Sequence, residues 1–478
     1  MDDNQFIYSS PGHVARALRE IKALGIDRVK VSVVWSLVAP DATSGTRPKF
    51  DAADPAAYPP GAWARWDRIV TDAAALGLKV YFQIVPPAPT WAVAQGTPSQ
   101  GYPWSQRPNA SDFGKFVQAV ATRYSGTYDG IPKVDYWGIW NEPNEAAWLN
   151  PQYKTAGSRQ IDLGPNLYRR LVDAAYHAFT VTGHGSDTIL IGELAARGWI
   201  YPIPFVRELY CVDSRYRPLT GGTARRIGCP AKGNRAKFVE RHPGLFLNRF
   251  AYHPYSFDQP PSEPMPDHNW ITYANLGRLE RTLDHSVGTY GQHPRGGVAI
   301  YMTEFGYKTD PPNPFVKTTI GEQAEWLNQS DYLAYRDRYV KSTAQFLLLD
   351  DRPRAGAAVG SRSYWSTFQT GLKYSNGRPK PAYAAFRLPI WVPDPRHGAR
   401  VTIWGQLRPA DHSAPQSAAL QYRGRGSRGW KTLRMIQTAS SEGFLLAHVR
   451  IGASGRIRLA FSDPAAGRTY HSRTVGIS

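Results

Sequence analysis

The stretch "YWGIWNEPNEAAWL", residues 136–149, decides how the chain is read. Its start, Tyr136 to Trp140, has the continuous apolar character of a strand covered on both faces, and it breaks off abruptly at Asn141, Glu142 and Pro143. A strand buried on both faces belongs to a parallel sheet packed between helices, so strands and helices should alternate on either side of it. Ser10-Pro11 opens a helix with proline in its first turn, Val14, Leu18, Ile21 and Leu24 follow at helical spacing, and Gly25 ends it. Strand-like runs then occupy residues 28–35, 78–85, 134–140, 188–194, 246–253, 297–304 and 356–366. Helical patterns at 62–76, 110–125, 166–180, 275–290 and 321–348 fall between them. With an abbreviated strand expected inside residues 1–8, this predicts an α/β fold, a (β/α)8 TIM barrel, over residues 1–388.

Such barrels place their chemistry at the C-terminal ends of the strands. Glu142 ends the fourth strand there, and Glu304, in "AIYMTEFGY" at 299–307, ends the seventh. The two are expected to face each other across one cleft.

Composition limits the alternatives. A chain of 478 residues, 42% hydrophobic and 13% aromatic, can bury a large core and a second, smaller one. No run of about 18 apolar residues suggests a membrane span, and Met1-Asp2-Asp3-Asn4 lacks the basic and apolar regions of a signal peptide. The formal net charge of +19 invites a nucleic-acid reading, but no recognition helix, zinc finger or aromatic RNA platform accompanies it. Thirteen basic against four acidic residues after position 389 concentrate a net +9 at the C-terminal end, where an anionic surface could be held. The two cysteines, Cys211 and Cys229, either close a loop within the long segment 195–244 or stay separate thiols. The bridge is the expectation, because no Cys-x-x-Cys or Cys/His metal spacing competes for them.

Residues 389–478 change character. "ARVTIWGQL", "SAALQYRG", "GWKTLRMIQT", "GFLLAHVRI", "GRIRLAF" and "RTYHSRTVGI" are short alternating runs split by turn residues, which predicts an all-β sandwich. Gly424 to Gly429 spells GxGxxG, yet a strand and not a helix follows, so it is expected to be a hairpin tip. HExxH, P-loop and GxSxG motifs are absent from the sequence, which leaves metal-dependent and serine hydrolase chemistry without ligands, and no metal or organic cofactor is expected.

Several of these residues carry a resemblance. Asn141-Glu142-Pro143, His253-Pro254-Tyr255, Thr303-Glu304-Phe305-Gly306 and Trp365, placed on strand eight, resemble the retaining (β/α)8 glycoside hydrolases of clan A. The likeness spans residues 1–388 and leans toward β-xylosidase, α-iduronidase-like and cellulase-like members, while the C-terminal sandwich is similar to immunoglobulin-like modules of secreted bacterial enzymes. It implies a retaining O-glycosidase acting on an oligosaccharide, polysaccharide or glycoside, with Glu142 as acid/base and Glu304 as nucleophile. It further implies that Asn141 contacts the sugar 2-hydroxyl and that Tyr255, with His253 beside it, supports the nucleophile. Trp35, Trp91, Trp140, Trp148 and Trp365, at or just beyond strand ends, are expected to supply sugar-stacking faces. Where clan members commonly carry arginine, this chain has Lys30 in "KVSVVW", with Arg28 two residues earlier, so Lys30 is taken as a supporting residue without the bidentate fork. Asp2 and Asp3 stand where strand one would end. A non-catalytic carbohydrate-binding or scaffold protein, or a transglycosylase using the same residues, are the alternatives. The module and the expected disulfide imply a secreted or cell-envelope protein whose signal sequence lies outside this chain.

Overall fold

The computed structural model describes residues 1–232, 235–410 and 413–478. Seven parallel strands form one curled sheet in the order β1 (Arg28–Val34), β2 (Lys79–Val85), β3 (Tyr136–Ile139), β6 (Thr188–Ala195), β7 (Arg249–His253), β8 (Ala299–Phe305) and β9 (Val340–Gln345). A short antiparallel hairpin, β4 (Tyr153–Ala156) with β5 (Arg159–Asp162), projects from the loop after β3 and has no counterpart in the sequence reading. The sheet closes into a barrel through a single residue, Asp2, which pairs in parallel with Lys30 on one side and Phe346 on the other. Four hydrogen bonds of 2.8–2.9 Å make that closure: the Met1 amine to Arg28 O, Lys30 N to Met1 O, Asp2 N to Gln345 O and Leu347 N to Asp2 O. The abbreviated first strand is therefore present, one residue long in its pairing.

The last barrel strand does not lie at 356–366. Those residues form turns and bends, and the strand is β9, inside the stretch read as helix 321–348. The helix there is capped by a reciprocal Thr319–Glu322 box and stops at Arg336, with Asp337 extended. The apolar residues beyond it, Val340, Ala344 and Leu347, continue at near-helical spacing, while Lys341, Ser342 and Thr343 stay exposed and give β9 no alternation to read.

The helices bury their apolar stripes on the barrel. Between them and the sheet lies an aromatic layer in which Trp35 stacks on Phe116 at 5.7 Å and 12°, and Trp63 on the same ring at 6.2 Å. Cys211 and Cys229 are disulfide-bonded, with their Cα atoms 5.7 Å apart, and tie down the long loop after β6.

The C-terminal residues fold as two antiparallel sheets over one core. β10 (Ile390–Trp391), β11 (Arg400–Gln406) and β14 (Phe444–Arg450) make one sheet; β12 (Ser417–Gly424), β13 (Lys431–Gln437), β15 (Gly455–Asp463), β16 (Arg468–His471) and β17 (Val475–Ile477) make the other. Gly424 to Gly429 turns β12 into β13, a hairpin tip. The barrel core reaches Phe386 and the sandwich core begins at Leu388. The two are in contact: Arg408 pairs with Asp331 at 2.8 Å, and Trp404 packs against Tyr332 and Tyr335. Gly25, at φ +78°, is required there, since a Cβ would sit 1.9 Å from the Arg408 carbonyl oxygen.

Candidate active site

β3 ends in a strained turn. Trp140 and Glu142 have φ of 70° and 38°, and Glu193, in the bulge of β6, has 50°, a region that side chains other than glycine seldom occupy. Backbone contacts hold the turn: Trp140 N donates to Ile84 O and Glu142 N to Glu193 O, each at 2.9 Å. Asn144 is buried and locks the following loop, donating through Nδ2 to the carbonyl of Arg197 at 2.7 Å and accepting from Ala195 N at 3.0 Å. The left-handed turn brings the Glu142 carboxylate to the cleft wall.

The cleft has a volume of about 740 Å³ and opens at the C-terminal ends of the strands, with Asn141, Glu142, Trp148, Tyr255 and Glu304 among its lining residues. A second cleft of about 730 Å³ lies at the opposite end of the barrel, against the sandwich domain, and touches neither glutamate. Glu142 and Glu304 come from β3 and β8, on opposite sides of the barrel, yet an oxygen of each lies within 4.8 Å of the other and of a His253 nitrogen. Their side chains are 19% and 14% exposed, enough for a ligand to reach both.

Each carboxylate is held. Glu142 Oε2 accepts from Trp148 Nε1 at 3.1 Å, and its Oε1 lies 3.0 Å from His253 Nδ1. Glu304 Oε1 accepts from the Tyr255 phenol at 2.7 Å, while its Oε2 lies 3.6 Å from Lys30 Nζ and 3.7 Å from His253 Nδ1. Asn141 Oδ1 accepts from Gln83 Nε2 at 3.1 Å at the cleft edge.

Beneath them is a carboxylate that the sequence reading missed. Glu193 is fully buried and accepts from Tyr81 and Thr303 hydroxyls, the latter at 2.6 Å; His253 Nε2 lies 2.8 Å away and Lys30 Nζ 3.7 Å away. Lys30 also pairs with Asp2 at 3.1 Å, so the residue at the end of the abbreviated strand belongs to the site. Burial pushes against the Glu193 charge, but Lys30, His253 and Thr303 outweigh it and hold the carboxyl down to about 2. His253 is lifted to about 10: burial opposes its charge, and Glu304 together with the contacts to Glu142 and Glu193 overcomes it. Burial would also strip Lys30 of its proton, and Asp2, Glu193 and Glu304 keep it charged. Glu304 itself lies above the usual carboxylate range because burial outweighs the pull of His253 and Lys30. Glu145, three residues after Glu142, is raised to about 7 by burial and by Glu142.

Of the tryptophans expected at the rim, Trp148 alone lines the cleft. Trp35 and Trp91 are 1% and 8% exposed and belong to the aromatic layer, where they meet edge to face at 6.1 Å. Trp140 is fully buried and donates to the Trp148 carbonyl at 3.0 Å. Trp365 sits in the loop after β9 against Tyr364, away from the cleft lining. These positions follow from layering: an aromatic at a strand end turns outward to the helices as readily as inward to the cleft. Phe257, Phe315 and Phe368, exposed at 49%, 39% and 41%, supply the apolar faces there instead. Among the described residues, Glu142, His253 and Glu304 form the one grouping that could ligate a cation, and His253 would have to present a bare Nδ1 to do so.

No family model and no curated relative matches the chain. Among solved structures it aligns with an endo-β-1,4-mannanase from Thermotoga petrophila at 12% identity and TM-score 0.42, over 99% of this chain and 96% of that one. It aligns with a family 1 β-glucosidase from Thermotoga maritima at 15% identity and TM-score 0.49, over 78% and 84%. A structure of fungal β-1,4-galactanases aligns at 14% identity and TM-score 0.42, over 78% and 90%.

Proposed function

We propose that the barrel is a retaining O-glycoside hydrolase in which Glu142 is the acid/base and Glu304 the nucleophile. The observation that carries this is the pair of cleft carboxylates, from opposite barrel strands, with oxygens within 4.8 Å of each other. Double displacement calls for carboxyl groups about 5–5.5 Å apart, whereas inversion needs about 6.5–9.5 Å to admit a water molecule. In this reading Glu142 protonates the glycosidic oxygen while Glu304 bonds to the anomeric carbon and the aglycone leaves. Glu142 then takes a proton from water, which adds to the same carbon and frees Glu304.

The surroundings support the division of roles. Glu304 has a phenol donor and two cations within 3.7 Å, which favour its anion and aim it. Glu142 has an indole donor and the imidazole, and it stands at the open side of the strained turn. Phe257, Phe315, Phe368 and Trp148 offer flat apolar faces for the CH-rich sides of sugar rings. The disulfide fits an extracytoplasmic setting.

The test is a panel of aryl glycosides with the anomer of the first product followed by NMR. Glu142→Gln and Glu304→Gln are each expected to lower kcat/KM by about three orders of magnitude. Azide should restore turnover to small-side-chain variants at either position, giving a β-azide from one and an α-azide from the other for a β-glycoside. A parent protein that binds saccharides and turns none over would instead be a binding protein, and first-formed inverted product would exclude the double displacement.

A further inference from the structure

Glu193 lines no part of the cleft and cannot touch a substrate, yet it sits behind both glutamates. Its charge is met by Lys30 on β1, Tyr81 on β2, Tyr168 on the helix Gly164–Val181, His253 at the end of β7 and Thr303 on β8. Asp2 stands behind Lys30, Glu142 behind His253, Glu304 behind both, and Tyr255 behind Glu304. Tyr81 and Thr303 spend their hydroxyl protons on its oxygens, so Glu193 is an acceptor throughout, and His253 Nε2 must donate to it. The other nitrogen, Nδ1, faces Glu142 Oε1 at 3.0 Å and Glu304 Oε2 at 3.7 Å. Two carboxylates this close resist ionising together, so one proton stays on the pair; a bare Nδ1 could accept it from Glu142 but would leave its lone pair facing the Glu304 anion. A protonated Nδ1 satisfies both.

We propose that Glu193 is a positioning residue that keeps His253 an imidazolium, whose Nδ1–H holds Glu142 and Glu304 together and leaves one proton for the two to share. The chain's departure at Lys30 fits this role, because a lysine gives one point charge where an arginine would give a fork, and the remaining orientation comes from Glu193 through His253. Removing the Glu193 charge should free the His253 proton even though Glu142 and Glu304 remain. Glu304 and Glu142 pull on the same proton through Nδ1, so removing the charge of either should weaken the hold on it as well, with the buried Glu193 anion still facing Nε2 at 2.8 Å. The catalytic consequence rests on the glycosidase reading; the protonation state does not.

The experiment is NMR of the full chain with 15N-labelled histidine, at pH 8, on the parent and on Glu142→Gln, Glu304→Gln and Glu193→Gln. His253, identified by its loss in His253→Asn, is expected to show two protonated ring nitrogens in the parent and one in Glu193→Gln; on titration, Glu142→Gln and Glu304→Gln should lose the second proton at a pH between those two. A neutral His253 in the parent overturns the proposal without any variant having to fold, as does an imidazolium that survives in folded Glu193→Gln. In turnover, Glu193→Gln should move the alkaline limb of the kcat/KM profile toward higher pH, because the lost imidazolium no longer favours the Glu142 anion, with Glu193→Asp restoring part of the shift. An unmoved limb would reduce Glu193 to packing. An imidazolium present in a parent without turnover of any glycoside would sink the glycosidase reading and leave this one standing.

Discussion

The Tyr255 phenol reaches Glu304 from the residue pair just past β7, and 2.7 Å is a normal length for a hydroxyl donating to a carboxylate. Hydrogen bonds to charged groups contribute about 1.5–3 kcal/mol, so Tyr255→Phe should reduce kcat/KM by about one to two orders of magnitude. The fold should not change, and near-UV circular dichroism would show it; full activity would mean that Lys30 and His253 aim Glu304 by themselves. Glu142 and Glu304 were legible in the sequence because a carboxylate at the end of an apolar run is expensive unless it faces a cleft. Glu193 interrupts "TILIGELA" in the same way, but one bulge turns it inward beneath the cleft floor, and a bulge leaves no periodic trace. Asp2 was visible only as a residue near a strand too short to read.

At the scale of elements, six of the barrel strands were legible through their β-rich runs, whereas the strand expected at 356–366 lies instead at β9. The reason is that β9 shows three exposed polar side chains in a row, so neither period appears. Strand ends also mislead about direction: Trp35 and Trp148 both follow strands, and only packing against Phe113 and Phe116 tells that the first faces the helices. This separates two variants. Trp35→Ala should cost about 3–5 kcal/mol of stability, read as a lower Tm, because it empties a fully packed site. Trp148→Ala should leave Tm within a few degrees and lower turnover instead, since it removes the Glu142 donor at 3.1 Å. The reverse pattern would put Trp35 at the substrate.

For the whole molecule, the buried charges set a stability profile. His253 is raised from 6.5 to about 10, so its contribution is complete below pH 6.5 and is lost as pH climbs through 10. Glu193 is lowered from 4.5 to about 2, so its contribution is complete above pH 4.5 and is lost as pH falls toward 2. Tm should therefore decline between pH 7 and 10, and the decline should be shallower in His253→Asn, whatever that variant's absolute Tm; equal slopes would show the imidazolium to be uncoupled from folding. Barrel and sandwich were separable in the sequence by the change from alternating strand-helix units to short strands, whereas their joint through Gly25, Arg408 and Trp404 was not, since it depends on contacts about 70 to 380 residues apart in the chain. Closure at Asp2 has a mechanical corollary. The wall of the barrel is stitched by ladders of three to seven residue pairs except along one suture, where Asp2 makes a single pair on each side, and that suture runs directly under Lys30 and the Glu304 side of the cleft. Any breathing of the cylinder should begin there, so the least reinforced part of the scaffold and the most charge-dense part of the molecule are the same place.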